Sequence, residues 1–362
     1  MAIVRFGDVV KEVKINIDRA TDTHEFYIAG EHMESENIHL TKRGRFEGSD
    51  VGPAFIRLFR PGQVLYGSRR TYLKKVAVAD FEGITSNTTF VLETRDENVM
   101  MQALLPFIML TDSFTEFAVK NSKGSTNPYI LFSDLCAHEF ELPEIERQRV
   151  LVEQLLACDQ AKEAYKRLLQ ATDDLVKSQF IEMFGDPAMQ TEGLTSLGNY
   201  ITLVNGFAFK GERFGDSGIP VIKIGNVNRA DFSCGSMQFH EEEAELERFV
   251  IKPGDLLISL TGTAGKDDFG NVCIVSQDYA MYYLNQRNAK LEPREELVPE
   301  YLLHLLKNQY IRAKIIESGT GVRQCHLHNK DINGIQFVLP PKGDQIRFAE
   351  FVQQTDKSKF VA

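Results

Sequence analysis

The residues best equipped for chemistry in this chain are cationic and bunched. From Lys42 to Lys75 stand Lys42, Arg43, Arg45, Arg57, Arg60, Arg69, Arg70, Lys74 and Lys75 against only Glu47 and Asp50, nine cations to two anions in a chain whose net charge is −10. Guanidinium forks suit the edges of bases, guanine above all, and ammonium groups suit phosphates. The strongest combination is Arg69-Arg70 beside Tyr72 and Lys74-Lys75, on a turn containing Gly67. Arg57 and Arg60 flank apolar Phe55, Leu58 and Phe59 and can equally edge a core. The overall acidity excludes a protein that embraces nucleic acid over its whole surface, because neutralising phosphates takes clustered Lys and Arg. Charge and loop placement therefore nominate Lys42, Arg43, Arg45, Arg69, Arg70, Lys74 and Lys75 in the first half of the chain. In the second half they nominate, more weakly, Lys210, Arg213, Lys223, Asn226, Arg229, Lys266 and Arg323.

Three short motifs invite sharper readings and fall short of them. Gly262-Thr263-Ala264-Gly265-Lys266 has the feel of a phosphate loop, but Leu260 stands where the first glycine is required and Asp267 where Ser or Thr would bind the metal. Asn127-Pro128-Tyr129 is a fragment of the Asn-Pro-Pro-Tyr motif with which adenine-N6 methyltransferases grip a flipped base. It lacks the second proline, and no Gly-rich loop follows a strand upstream, so a turn in which Pro128 fixes φ is the plainer reading. Cys325-His326-Leu327-His328 has no second ligand pair at zinc spacing; its histidines read as solvated or structural, or as donors to DNA. No Ser-His-Asp or Cys-His pattern and no nuclease-type acidic cluster stands out, so neither a metal nor a cofactor held by this chain is expected.

The elements that must position these residues occur twice. Phe6-Gly7-Asp8, Arg60-Pro61-Gly62-Gln63-Val64-Leu65, Gly124-Ser125-Thr126, Asp134-Leu135 and Leu142-Pro143 return as Leu197-Gly198-Asn199, Lys252-Pro253-Gly254-Asp255-Leu256-Leu257, Gly321-Val322, Asp331-Ile332 and Leu339-Pro340. This is a duplicated domain, far longer than a solenoid unit. Short strands are expected at Val64 to Tyr66, Val76 to Val78 and Phe90 to Leu92, and again at Leu256 to Ile258, Val272 to Val275 and Ala289 to Leu291. Helical spacing follows from Val99 to Lys120 and from Pro299 to Ile316. The fold class is mixed α/β.

Between Pro143 and Gly185 there is no Gly or Pro, and Leu, Ala, Glu, Gln and Lys dominate. One helix of roughly 40 residues, about 60 Å long, is expected there. Its apolar seam is read as Leu151, Leu155, Cys158, Tyr165, Leu169 and Val176. One such seam needs a partner, and the segment from Asp344 to Phe360 after the second Leu-Pro is the natural one, antiparallel to the first and truncated relative to it. Self-association through the uncovered part of the seam is a further expectation. The domains are thus read as 1–143 and 186–340, with helical spacers at 144–185 and 341–362.

Five singly placed cysteines without a CxxC pair suit a reducing cytosol. Arg5, Asp8, Lys11, Glu12 and Lys14 exclude a secretory hydrophobic region at the start, and no apolar run is long enough to span a membrane. The expectation is a cytoplasmic protein.

Several of these segments together resemble the DNA-specificity subunit of Type I restriction–modification systems. They are Lys177-Ser178-Gln179-Phe180-Ile181-Glu182-Met183-Phe184-Gly185-Asp186-Pro187, Lys252 to Leu257, Leu339-Pro340-Pro341 and Gln345-Ile346-Arg347. The likeness covers essentially the whole chain. It implies two target-recognition domains held apart by an antiparallel pair of long helices, each domain reading one half of a split double-stranded DNA site. It also implies a non-catalytic role. Two methyltransferase subunits would supply S-adenosylmethionine, base flipping and adenine-N6 methylation, and restriction and translocase subunits would complete the assembly. Recognition domains of this family vary with their targets, so base-contacting residues do not transfer by motif. Two other classes compete: a self-sufficient DNA methyltransferase or nuclease, which would need a cofactor loop and catalytic carboxylates, and a coiled-coil scaffold with no nucleic-acid role.

Overall fold

The computed structural model describes residues 2–19, 21, 23–47, 51–227 and 231–359, and divides into two compact units, Met1–Glu163 and Ala164–Ala362. Arg229, Asp50 and Phe360, all named above, lie outside the described residues.

Each unit repeats one topology. In the first, an antiparallel sheet runs in the order Val10–Glu12, Thr89–Thr94, Val64–Gly67, Val76–Val78. A second sheet runs Gly44–Arg45, Phe26–Ile28, Gly83–Ser86, Phe55–Phe59, with its two central strands parallel. In the second unit the counterparts are Ile201–Asn205, Asn288–Pro293, Leu256–Ser259, Val272–Ile274 and Gln238–His240, Ile219–Ile222, Tyr282–Leu284, Val250–Ile251, with the same order and the same parallel centre. A short ladder closes each unit on itself, Ala2–Arg5 with Glu139–Leu142 and Leu194–Ser196 with Gln336–Val338. The duplication read from the sequence is therefore a duplication of sheet order and strand polarity.

The central strands carry apolar residues on both faces because both faces are covered. Val64, Tyr66, Val76, Phe90 and Leu92 point into a core shared with the helices, while Leu65, Ala77 and Val91 point the other way, into the core beneath the second sheet. The second unit alternates likewise: Leu256, Ile258 and Leu291 on one side, Leu257 and Cys273 on the other. Burial pushes the Cys273 thiol up to about 12, which leaves it an inert core group.

The helical stretches differ from the sequence reading in one respect. Each is two helices: Leu105–Leu110 and Asp112–Lys120 in the first unit, Pro299–Lys307 and Gln309–Ser318 in the second. Thr111 caps the second helix of its pair by accepting from Phe114 N at 3.3 Å, and Asn308 does the same for Tyr310 N at 3.0 Å. Turning the chain at these caps wraps both helices over the sheet.

Two glycines mark close approaches that recur in both copies. A Cβ on Gly7 would stand 2.6 Å from Cys136 Cβ, and one on Gly198 would stand 2.7 Å from Asn333 Cβ. Each glycine lets the short helix before the Leu-Pro exit, Phe132–Leu135 or Asn329–Asn333, lie against the start of its own domain.

The long helix spans Ile145–Phe184, 40 residues. Its first turn is clamped by Gln148, wholly buried, which accepts from Met101 N at 2.9 Å and donates to Val99 O and Pro143 O, both at 2.8 Å. The C-terminal helix Lys342–Lys359 starts with the same clamp: buried Gln345 accepts from Val298 N at 2.9 Å and donates to Glu296 O and Pro340 O at 3.1 and 2.9 Å. In the second unit Phe348 packs against Phe180 and Phe184, with ring centroids 5.5 Å apart in both pairs, and Val176 and Val352 join the same core.

The buried stripe of the long helix differs from the expected seam. Val176 is buried, Leu151, Leu155 and Leu169 are half-buried, and Tyr165 and Cys158 are exposed. The buried positions are Gln148, Val152, Thr172, Val176 and Phe180. Docking through Gln148 sets the rotation of the first turns, so Val152 rather than Leu151 enters the core. Further along, Asp159 pairs with His39 at 2.6 Å and Lys162 donates to Glu36 O at 3.0 Å, so polar groups hold that stretch against the first domain.

His138 lies 3% exposed among the rings of Phe114, Phe117 and Phe140, and burial holds its pKa below the ordinary 6.5. The unfolded chain therefore takes up that proton first, so this contribution is complete above pH 6.5 and is lost as pH falls toward the depressed folded value. Replacing His138 by Phe is expected to flatten the pH 7 to 5 part of the stability profile relative to wild type, which urea unfolding across that range measures.

Candidate nucleic-acid interface

In each unit three loops meet where the central strand of the first sheet ends. In the first unit Ser68 is the hub. Its N–H donates to Thr88 O at 3.0 Å, its hydroxyl to the same carbonyl at 2.6 Å, and its own carbonyl accepts from Ile130 N at 2.9 Å. Arg70 N then donates to Pro128 O at 2.7 Å, and Tyr129 bridges to both Arg69 and Lys123. In the second unit Leu260 is the hub: its N–H donates to Arg287 O and its carbonyl accepts from Leu327 N, both at 2.8 Å. Ala264 N donates to Arg323 O at 3.1 Å, and Thr261–Thr263 pairs with Gln324–His326. One backbone frame therefore carries three loops in each unit, with different side chains on them.

The first junction carries backbone strain. Arg70 (φ 52°) and Lys74 (φ 47°) sit in the left-handed region on either side of the turn Thr71–Leu73, which leaves Tyr72 55% exposed. Non-glycine residues held there cost on the order of 1 kcal/mol each, and such strain gathers at working surfaces. Thr71 Oγ1 to Ser122 Oγ at 3.2 Å ties the turn to the neighbouring loop.

The basic run is not the open patch that its sequence suggests. Lys74 pairs with Asp112 at 2.8 Å and Glu36 at 2.9 Å, bonds that raise its pKa, and the Lys75 ammonium donates to Gly30 O. Arg43 stacks on Phe26 with 3.8 Å to the ring centroid, Arg45 pairs with Glu25 at 3.1 Å, and Lys42 with Glu34 at 3.5 Å. Arg57 meets Glu12, and Arg60 meets Glu82. Lys74, Lys75 and Arg43 are thereby withdrawn as free contacts, whereas Lys42 and Arg45 keep exposed heads on weak surface pairs. Arg69 and Arg70 are exposed and make no side-chain pair among the described residues.

In the second unit Asn226 is structural: it is 6% exposed, accepts from Lys223 N and donates to Ser233 O, both at 2.8 Å. The Lys223 ammonium is engaged by Gln238 and sits over the Phe214 ring, and burial lowers its pKa. Arg213 is paired with Glu243. Lys210, Lys266 and Arg323 are exposed. Lys266 and Arg323 belong to the junction loops; Lys210, Lys223 and Asn226 do not. Sequence reading missed Arg287, on the short loop that carries the chain from Tyr282–Leu284 in one sheet to Asn288–Pro293 in the other. The signal was present in Asn285-Gln286-Arg287-Asn288, a polar run directly after the apolar Tyr282-Tyr283-Leu284. The loop 262–266 holds Thr263 N on Asp268 Oδ1 at 2.7 Å, a turn closed by its own carboxylate with no cradle for phosphate. His326 lies in the Gln324–His326 strand, and no group of three or more metal-ligating side chains is found among the described residues.

Two copies of one mixed α/β domain, each with a loop junction that carries exposed cations, make up the described chain. Residues 193–360, just under half of the chain, match the family model described as Type I restriction modification DNA specificity domain. Over 171 residues, 46% of this chain, it is 24% identical to the Type I restriction enzyme EcoAI specificity subunit of Escherichia coli; the match spans 29% of that subunit's length. Among solved structures, the Type I restriction–modification S subunit of M. genitalium aligns over 99% of this chain and 90% of its own, at 15% identity and a TM-score of 0.56. The HsdS subunit of Thermoanaerobacter tengcongensis aligns over 99% and 90%, at 19% identity and a TM-score of 0.40. The M. genitalium match gives the whole chain, both units included, the specificity-subunit fold. The resemblance read from the sequence is borne out, as is the mixed α/β class with its long helix.

Proposed function

We propose that this chain is a non-catalytic specificity subunit that reads a two-part site on double-stranded DNA and directs partner methyltransferase and restriction subunits to it. The carrying observation is the loop junction, built twice on one backbone frame with different basic and polar side chains. A duplicated frame with divergent tips is what two unequal half-sites require. Residues 1–143 read one half and 186–340 the other, and the long helix sets the unspecified gap. S-adenosylmethionine is bound by the methyltransferase partners, and those partners also supply phosphate contacts that an acidic chain cannot make. The reading places the chain in the cytoplasm, where its DNA would lie; separately, no described helix is long and apolar enough to cross a membrane.

The test is co-expression with the cognate methyltransferase, followed by mapping of methylated adenines in the host genome. A motif in two specified parts separated by a fixed gap is expected. A continuous motif, or none with an active partner present, contradicts the proposal.

A further inference from the structure

Resting on the specificity-subunit reading, we infer that four arginines are the base readers, Arg69 and Arg70 in the first domain and Arg287 and Arg323 in the second, and that each half-site contains guanine. The observation is one of exclusion. Outside the two spacer helices, every other arginine of the described residues is tied to a protein group. Arg5, Arg45, Arg57, Arg60 and Arg213 hold carboxylates. Arg19, Arg95 and Arg294 donate to backbone carbonyls, and Arg312 to carbonyls and to Asp267. Arg43 and Arg248 lie over phenylalanine rings. The four that remain are exposed, have no side-chain partner among the described residues, and all belong to the two loop junctions.

Their positions on the common frame differ in an ordered way. Arg69 is bridged to Tyr129 as Thr261 is to His326, so Arg69 and Arg70 correspond to Thr261 and Gly262. Conversely, Arg287 O accepts from the hub Leu260 as Thr88 O accepts from the hub Ser68, so Arg287 stands where the first domain has Thr88. Arg323 follows Gly321 by two residues, where Thr126 follows Gly124, both glycines having positive φ. Each junction thus holds two guanidiniums, on the strand-end loop in the first domain and on the sheet-to-sheet loop and third loop in the second. An exposed guanidinium fork on a fixed backbone presents two parallel donors, which match O6 and N7 of guanine in the major groove; no other base offers two acceptors there. Moving the pair from loop to loop changes which position is read while keeping the base type.

The test is the methylation map of the co-expressed complex with R287A, R287K, R323A and R69A. R287A and R323A are each expected to make one guanine position in one half-site degenerate, with discrimination there falling about ten- to a hundredfold, and to leave the other half-site sharp. R69A should do the converse. R287K keeps the charge but not the fork, so methylation should persist while the same position relaxes. A sharp map with R287K and a uniformly weaker one with R287A would make Arg287 a phosphate contact and overturn the inference. So would half-sites without guanine, or maps unchanged in all four variants. A wild-type map with no split motif would instead remove the underlying reading. Thermal melting of each variant identifies one that fails through folding, and R287K, which retains the stem and charge, then decides.

Discussion

Replacing Gln345 by Leu should destabilise the chain by about 2–5 kcal/mol, because the substitution leaves Val298 N and the carbonyls of Glu296 and Pro340 in a buried site without partners. Gln148→Leu should cost a similar amount through Met101 N, Val99 O and Pro143 O. Leucine is close in volume, so the loss reports hydrogen bonds rather than a cavity. Urea unfolding of the wild type and of each variant measures it, and a loss below 1 kcal/mol would refute the clamp. The consequence reaches beyond stability. A spacer helix can define an interval only if its first turn is rigidly joined to the domain it carries, and the same glutamine makes that joint in both units. Variants that still fold should methylate less uniformly spaced sites.

The second large effect concerns the helix itself. Four alanines inserted after Ala164 fall between Lys162, which donates to Glu36 O in the first domain, and buried Thr172 in the second unit. Helical propensity carries the element through the insertion and lengthens it by about 6 Å. At roughly 3.4 Å per base pair, the methylated motif should keep both sets of specified bases and widen its gap by about two base pairs. An unchanged gap would mean that something other than this helix sets the interval.

Much of the architecture was legible in the amino-acid order. The Gly- and Pro-free stretch from Ile145 to Phe184 could be little else than a helix, and the strands at Val64, Val76, Phe90, Leu256, Val272 and Ala289 announced themselves as short apolar runs between turn residues. What escaped depended on partners distant in sequence. Thr111 and Asn308 look like ordinary polar helix residues until their caps turn the chain. The seam was misplaced at Leu151 and Tyr165 because leucine and tyrosine outweigh valine and threonine in any pattern, whereas the buried Gln148 decides the rotation. The basic run from Lys42 to Lys75 is largely neutralised by Glu12, Glu25, Glu34, Glu36, Glu82 and Asp112, none of which lies within it. A charge window cannot see such pairs. Arg287 went unnoticed for the opposite reason: it stands alone in the sequence and becomes a candidate only when the loop between the two sheets brings it to the hub.

The central claim is that two separate readers act on two separate stretches of one duplex. Its most direct test is the methylation map of a chimera in which residues 1–143 are exchanged for the corresponding domain of another specificity subunit, co-expressed with the same methyltransferase. The account expects one half of the split motif to change while the other half and the gap stay as they were. A map in which both halves change together, or in which neither does, would contradict it.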